Sequence, residues 1–220
     1  MSLPVPPTAA DYWNLFSAFF IIGIVAGGTV VGMTIYYAYA NRGKIGRREF
    51  KISRVHFRSR AREAVILATI SLTILFSLSI LSDRIAANIQ TPPDPSSSLV
   101  IKVTALQWAF KFTYPNNVTI ASECRIPVDT PVIFNVTSID VMHDFGLPQF
   151  KIKTDAIPGR YNVIWLSVPS LEGQNELTYQ IKCYELCGIG HTYMTANLIV
   201  MNQTAFDQFL SEAAASQGVG

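Results

Sequence analysis

Two long uncharged runs open the chain. Leu15 to Ala40 carries no charged residue over 26 positions, and Ala64 to Ser82 carries none over 19. At ~1.5 Å per residue the first run exceeds the ~30 Å hydrocarbon thickness of a bilayer and the second nearly matches it. Both are predicted as membrane-spanning helices, over about 15–40 and 64–82, and the first is expected to tilt. The first run is long for a signal peptide, has no basic segment ahead of it and is followed by a second span, so it is read as an anchor. Small and hydroxylated residues recur at one-turn spacing: Gly23 with Gly27, Gly28 with Gly32, and Thr69, Thr73 and Ser77. Such faces let helices approach closely and let hydroxyls bond across, within the hairpin or onto a larger membrane subunit.

The period changes after Ser82. Thr91-Pro-Pro-Asp-Pro-Ser-Ser-Ser98 has neither helical nor strand periodicity and is expected to be a tether between domains. Beyond it, short β-branched and aromatic runs alternate with turn residues: 99–104, 110–114, 118–120, 132–138, 161–168, 176–182 and 195–200. This rhythm predicts an antiparallel β-sandwich over 99–203. Thr204-x-x-Asp207 is expected to open a closing helix in 204–220, with Phe206, Phe209 and Leu210 on one side.

Charge orients the hairpin. The segment 41–63 holds nine of the seventeen basic residues, Arg42, Lys44, Arg47, Arg48, Lys51, Arg54, Arg58, Arg60 and Arg62, against Glu49 and Glu63. The positive-inside rule makes this loop cytoplasmic, with both termini and the β-domain outside. Its place between two spans argues against a nucleic-acid partner. From Asp83 onward the chain has twelve acids and eight bases, a small acidic excess that could steer a basic partner or simply keep the domain soluble. Glu63, at the edge of the second span, is a candidate for proton uptake or an ordinary interface carboxylate. Asn117, Asn135 and Asn202 each begin an Asn-x-Thr sequon, of which Asn135 falls in a predicted strand.

One loop concentrates the chemistry. Cys183-Tyr-Glu-Leu-Cys187-Gly-Ile-Gly-His191-Thr-Tyr-Met194 offers two thiolates, an imidazole and a thioether within twelve residues. Soft sulfur donors with imidazole favour copper, and a second thiolate on the same loop suggests two sulfurs bridging a pair of metal ions. A disulfide or a zinc site remains the alternative, although neither uses the methionine. His143, just past a predicted strand, is the candidate ligand from elsewhere in the fold. Cys124 has no evident partner and is expected to be buried.

Taken together, Gln107-Trp108, Val136-Thr-Ser-x-Asp140-Val-x-His143, Lys153-Thr-Asp155-Ala-x-Pro158-Gly-Arg160 and Cys183-x-Glu185-x-Cys187-x3-His191-x2-Met194 resemble subunit II of the haem-copper cytochrome oxidases over nearly the whole chain. The resemblance implies a two-helix transmembrane hairpin followed by an all-β cupredoxin-like sandwich that carries the binuclear copper centre Cu(A). It further implies Cys183 and Cys187 as bridging thiolates, His143 and His191 as terminal imidazoles, Met194 as a weak thioether and the Glu185 carbonyl as the remaining ligand. The Glu185 carboxylate would face a magnesium or manganese ion shared with subunit I. Trp108 would receive electrons from a cytochrome c-like or other one-electron donor. The family usually has a second tryptophan two positions later, where this chain has Phe110.

The function implied is that of the electron-accepting subunit of a respiratory terminal oxidase, anchored in lipid of the cell or inner membrane. It would relay electrons to haem in subunit I, where oxygen is reduced. A nitric-oxide reductase of the same superfamily and a membrane-anchored copper chaperone are the competing readings. The intact ligand set argues against a quinol-oxidase subunit, and the absence of a propeller domain against a nitrous-oxide reductase.

Overall fold

The computed structural model describes residues 7–42 and 56–219. It divides into a helical unit, Trp13–Ala86, and a second unit whose body is the β-domain after Ala87. The helical unit holds most of α1 (Pro7–Asn41) and of α2 (His56–Gln90). Their stretches Ala9–Ala40 and Ala61–Ala87 are long and apolar enough to cross a membrane. Tyr12 and Trp13 stand near one end of α1 and Tyr36, Tyr37 and Tyr39 near the other. From Trp13 to Tyr36 the helix rises roughly 35 Å, which suits aromatic side chains placed at both edges of a bilayer. The Arg42 guanidinium lies over the Tyr39 ring at 3.9 Å and donates to its hydroxyl at 3.1 Å.

Residues 43–55, which hold most of the basic loop, lie outside the described residues. The hydroxyls on the repeating face of α2 bond within the helix: Thr69 to Val65 O, Thr73 to Thr69 O and Ser77 to Thr73 O, each at 2.8 Å. The carbonyl four residues back is always in reach of such a hydroxyl, whereas a partner helix must be brought there.

The segment after α2 is more ordered than its composition suggests. Pro95–Ser97 forms a single 3-10 turn, capped by the Asp94 carboxylate accepting from Ser96 N at 2.9 Å. Ten strands follow: β1 (Leu99–Leu106), β2 (Ala109–Thr113), β3 (Thr119–Ala121), β4 (Glu123–Pro127), β5 (Val132–Ser138), β6 (His143–Leu147), β7 (Ile152–Ala156), β8 (Asn162–Leu166), β9 (Glu176–Lys182) and β10 (Thr195–Met201). They form two five-stranded sheets, ordered β3-β2-β1-β5-β8 and β4-β10-β9-β6-β7. The sandwich is therefore present, but it is not wholly antiparallel. β1 runs parallel to β5 and β10 parallel to β4.

The expected period of two is clear where one face meets solvent. In β9, Leu177, Tyr179 and Ile181 are buried while Glu176, Thr178 and Gln180 are exposed. The core joins the sheets through aromatic rings: Phe145 of the second sheet packs on Phe110, Phe112 and Phe134 of the first, at 5.6, 6.3 and 5.3 Å between centroids. Phe110, at the position where the family usually has tryptophan, is wholly buried in this cluster.

α3 (Gln203–Gln217) closes the chain. Its cap is Asn202, whose side chain accepts from Ala205 N at 2.8 Å, and not Thr204 as the capping pattern suggested. Asparagine two residues earlier supplies the same acceptor for the first free amides. Phe206 and Phe209 pack on Tyr114, whose hydroxyl donates to Arg125 O at 2.9 Å and accepts from Arg125 N at 2.8 Å. Cys124, beside this contact in β4, is fully buried, and that burial pushes its thiol well up.

Candidate metal centre

The Cys183–Met194 loop spans the gap between β9 and β10, and the Cys183 N–H donates to the Met194 carbonyl at 3.1 Å. Both ends of the loop are thus tied to the same antiparallel pair, Lys182 facing Thr195. His143 opens β6, a neighbour of β9 in the same sheet. β6 is buried along its full length. A Cβ at Gly146 would run into the Tyr184 ring, so this glycine lets the first part of the loop lie flat on β6.

This arrangement brings together all six residues that the sequence singled out. Cys183 Sγ and Cys187 Sγ are 3.8 Å apart and unbonded. His143 Nδ1 lies 4.0 Å from Cys183 Sγ, and His191 Nδ1 3.6 Å from Cys187 Sγ. Met194 Sδ is 3.8 Å from Cys187 Sγ, and the Glu185 carbonyl oxygen 3.2 Å from Cys183 Sγ. Ligand atoms of His143, Cys183 and Cys187 fall within 4.8 Å of one another, and all three residues are buried.

The sulfurs are too far apart for a disulfide, which needs ~2.0 Å. They are close enough that a metal ion ~2.3 Å from each fits on either side of the line joining them. The donor set suits copper, because thiolate, imidazole and thioether are the ligands that select it. Burial and the neighbouring Cys183 sulfur push the Cys187 thiol upward. Two thiolates in this pocket therefore call for cations to replace their protons.

In the sequence Asp140 is one letter of a motif, and its role comes from the fold. Its Oδ1 is 2.8 Å from His143 Nε2 and accepts from Val141 N at 2.7 Å, while Oδ2 accepts from Gln107 N at 2.7 Å. Partial burial alone would raise this carboxyl. The bonds from His143, Gln107, Val141 and Ser138 outweigh it and bring the group down to about 2. A carboxylate there keeps the His143 proton on Nε2 and turns Nδ1 toward the sulfurs.

Replacing Asp140 with alanine should weaken copper binding by about 10- to 100-fold, measured by competition with a chelator. Because the folded carboxyl lies below its ordinary 3.8, its contribution to stability is complete above that pH and is lost as pH falls toward 2. Acid unfolding of the wild type and Asp140→Asn should therefore differ most above pH 3.8 and converge near 2.

The Gln107-Trp108 pair joins this network from the β1–β2 turn. Gln107 Nε2 and Trp108 Nε1 both donate to the Cys187 carbonyl, at 2.7 and 3.1 Å. Trp108 is 43% exposed, so it is a surface residue fastened to the metal loop and not a core tryptophan. A Cβ at Gly190 would enter the indole ring, which explains why the loop carries glycine under Trp108. No sequence spacing marks Gln107 as a contributor, because its side chain acts on a residue 80 positions away.

A second carboxylate follows His143. Asp144 is fully buried, with Oδ2 2.9 Å from Lys153 Nζ and Oδ1 without a hydrogen-bond partner. Burial raises its carboxyl despite Lys153, and the negative charges of Asp155 and Glu185 add to the rise. The Glu185 carboxylate is thus near enough to act on Asp144, while its carbonyl oxygen lies beside Cys183 Sγ.

A family model for the periplasmic domain of cytochrome c oxidase subunit II matches residues 116–203. Heme-copper oxidase subunit 2 of Aeropyrum pernix is 34% identical over 215 residues, covering 93% of this chain and 90% of that protein. The chain belongs to the haem-copper oxidase subunit II family. Cytochrome c oxidase subunit 2 of Thermostichus vulcanus is 37% identical over 109 residues, half of this chain and 32% of that one, so the chain spans about a third of that relative. The crystal structure of the periplasmic domain of cytochrome oxidase subunit II from Bradyrhizobium japonicum superposes with a TM-score of 0.53 at 29% identity. It covers 57% of this chain and 99% of that structure. As a subunit II, the chain is a membrane-anchored component of a haem-copper oxidase complex with a periplasmic domain, and its expected partner is subunit I.

Proposed function

We propose that this subunit takes up single electrons on the outer face of the membrane at a binuclear Cu(A) centre. The ligands are His143, Cys183, the Glu185 carbonyl, Cys187, His191 and Met194, and the electrons pass on to haem in subunit I for oxygen reduction. The observation that carries the reading is the pair of unbonded cysteine sulfurs 3.8 Å apart on one loop, each with an imidazole nitrogen within 4.0 Å. Two copper ions held by these residues would supply a one-electron carrier.

The chain's own residues account for the rest. His143, Cys183, Cys187 and Met194 are buried, so water is kept from the ligand atoms. Tying the loop to β9 and β10 at both ends restrains those atoms, which keeps reorganisation small. Asp140 fixes the His143 tautomer, and the Gln107 and Trp108 bonds to the Cys187 carbonyl withdraw electron density near one sulfur. Trp108 offers an exposed ring in direct contact with the metal loop, where a cytochrome c-like or other one-electron donor would deliver its electron. The Glu185 carboxylate is available to a magnesium or manganese ion shared with subunit I. The nine basic residues of 41–63 support a cytoplasmic position for that segment and an outer one for the centre.

Rapid mixing of the purified oxidised complex with a reduced donor tests this reading. Absorbance of the copper centre should change first and haem reduction should follow. Haem reduction that precedes any change at copper would overturn it.

A further inference from the structure

The loop segments beside Trp108 are almost free of charged residues. Asp140 holds the Gln107 amide, and the Ile139 N–H donates to Ala105 O at 3.2 Å, so the 139–142 loop lies beside the β1–β2 turn. Gly188 and Gly190 lie against the Trp108 ring, so Ile189, between them in the chain, is next to it. Ile189 is 95% exposed, Ile139 66%, and Val141 and Met142 are also exposed. Four exposed apolar side chains thus sit on the two loops that border the β1–β2 turn and the exposed indole bonded to the metal loop. Exposed apolar groups gathered this closely mark an interaction surface more often than isolated ones do.

Asp140 is the one charged residue in the segments 107–108, 139–142 and 188–190. Its oxygens are already engaged by His143, Gln107, Val141 and Ser138. A partner bearing a ring of lysines would therefore lose solvation on docking here and find no free carboxylates in return.

We infer that the Trp108 face docks its electron donor by apolar contact, and that the donor is a redox protein whose own electron-exit face is apolar and uncharged. The inference rests on the Cu(A) reading above. In the step served, one electron leaves the reduced donor and is taken up by the oxidised centre, with no bond made or broken and no proton moved. Association through such a face depends weakly on salt, because no long-range attraction is available to be screened.

Two soluble probes test this on the purified complex: a blue-copper protein whose metal lies beneath an uncharged apolar face, and a cytochrome c whose haem edge is ringed by lysines. Dissociation constants and bimolecular electron-transfer rates are measured from about 20 mM to about 500 mM salt. For the blue-copper probe both should change by less than about threefold, and this probe should bind more tightly than the basic cytochrome at the higher salt. The double variant Ile139→Asp, Ile189→Asp should weaken blue-copper binding about tenfold and create salt-sensitive binding of the basic cytochrome.

Steep salt dependence with preference for the basic cytochrome in the wild type would overturn the inference, as would unchanged blue-copper affinity in the double variant. So would failure of the variant to assemble, since the patch would then be covered by subunit I. Loss of the copper spectrum in the wild-type complex would instead count against the Cu(A) reading, which separates the two failures.

Discussion

Replacing Cys187 with serine should abolish the paired centre and lower donor-driven turnover of the complex by more than about 100-fold. The estimate follows from position. Removing a group that only supports a ligand costs about 10- to 100-fold, and Cys187 Sγ is the atom from which Cys183, His191 and Met194 are all reached within 3.8 Å. Serine is nearly isosteric, so the fold should persist. Its hydroxyl, however, has little tendency to ionise and is a hard donor that does not favour copper. Copper content, absorbance and steady-state turnover are the readouts. Residual copper in the variant should be a single ion held through Cys183, without shared-electron character.

The second large effect concerns the sandwich itself. Phe145→Ala should destabilise the domain by about 3–5 kcal/mol, the range for truncating a buried phenylalanine. Phe145 is fully buried and joins rings of both sheets, Phe110, Phe112 and Phe134 on one side and its own strand on the other. It also stands two residues after His143 in β6, so a cavity there loosens the strand that carries a ligand. Since a domain has only about 5–15 kcal/mol in total, the variant should unfold at much lower denaturant. Copper retained by the folded fraction should be bound more weakly. Urea unfolding with and without copper separates the two effects, because a ligand bound to the folded state adds its own stabilisation.

How legible the molecule was in its sequence depended on how local each signal is. The two helices follow from uninterrupted apolar runs, though α1 and α2 extend beyond the runs into polar flanks that hydropathy does not mark. Seven strands were anticipated from β-branched and aromatic runs. The three not anticipated are β4, β6 and β7. β4 is Glu-Cys-Arg-Ile-Pro and β7 is Ile-Lys-Thr-Asp-Ala, edge strands in which charge and proline are tolerated because one side has no ladder partner. β6, His-Asp-Phe-Gly-Leu, reads as a turn by composition, yet it is buried throughout. Tertiary contacts override propensity there: Lys153 answers the Asp144 charge and Tyr184 fills the space above Gly146.

The metal loop was legible because its ligands lie within twelve residues. His143 needed an inference across the fold, helped by there being few histidines to choose from. Asp140 and Gln107 were visible only as motif letters. Their work is done through bonds to His143 and to the Cys187 carbonyl, contacts that no sequence spacing encodes. The parallel pairing of β1 with β5 was hidden for the same reason, since strand direction is set by the path of the intervening chain.

Electron paramagnetic resonance of the copper-loaded chain, purified in detergent without subunit I and paired with a metal analysis, tests the central claim most directly. Two copper ions per chain, with one unpaired electron coupled equally to both nuclei, is the result this account predicts. One copper per chain, or an electron localised on a single nucleus, would contradict it.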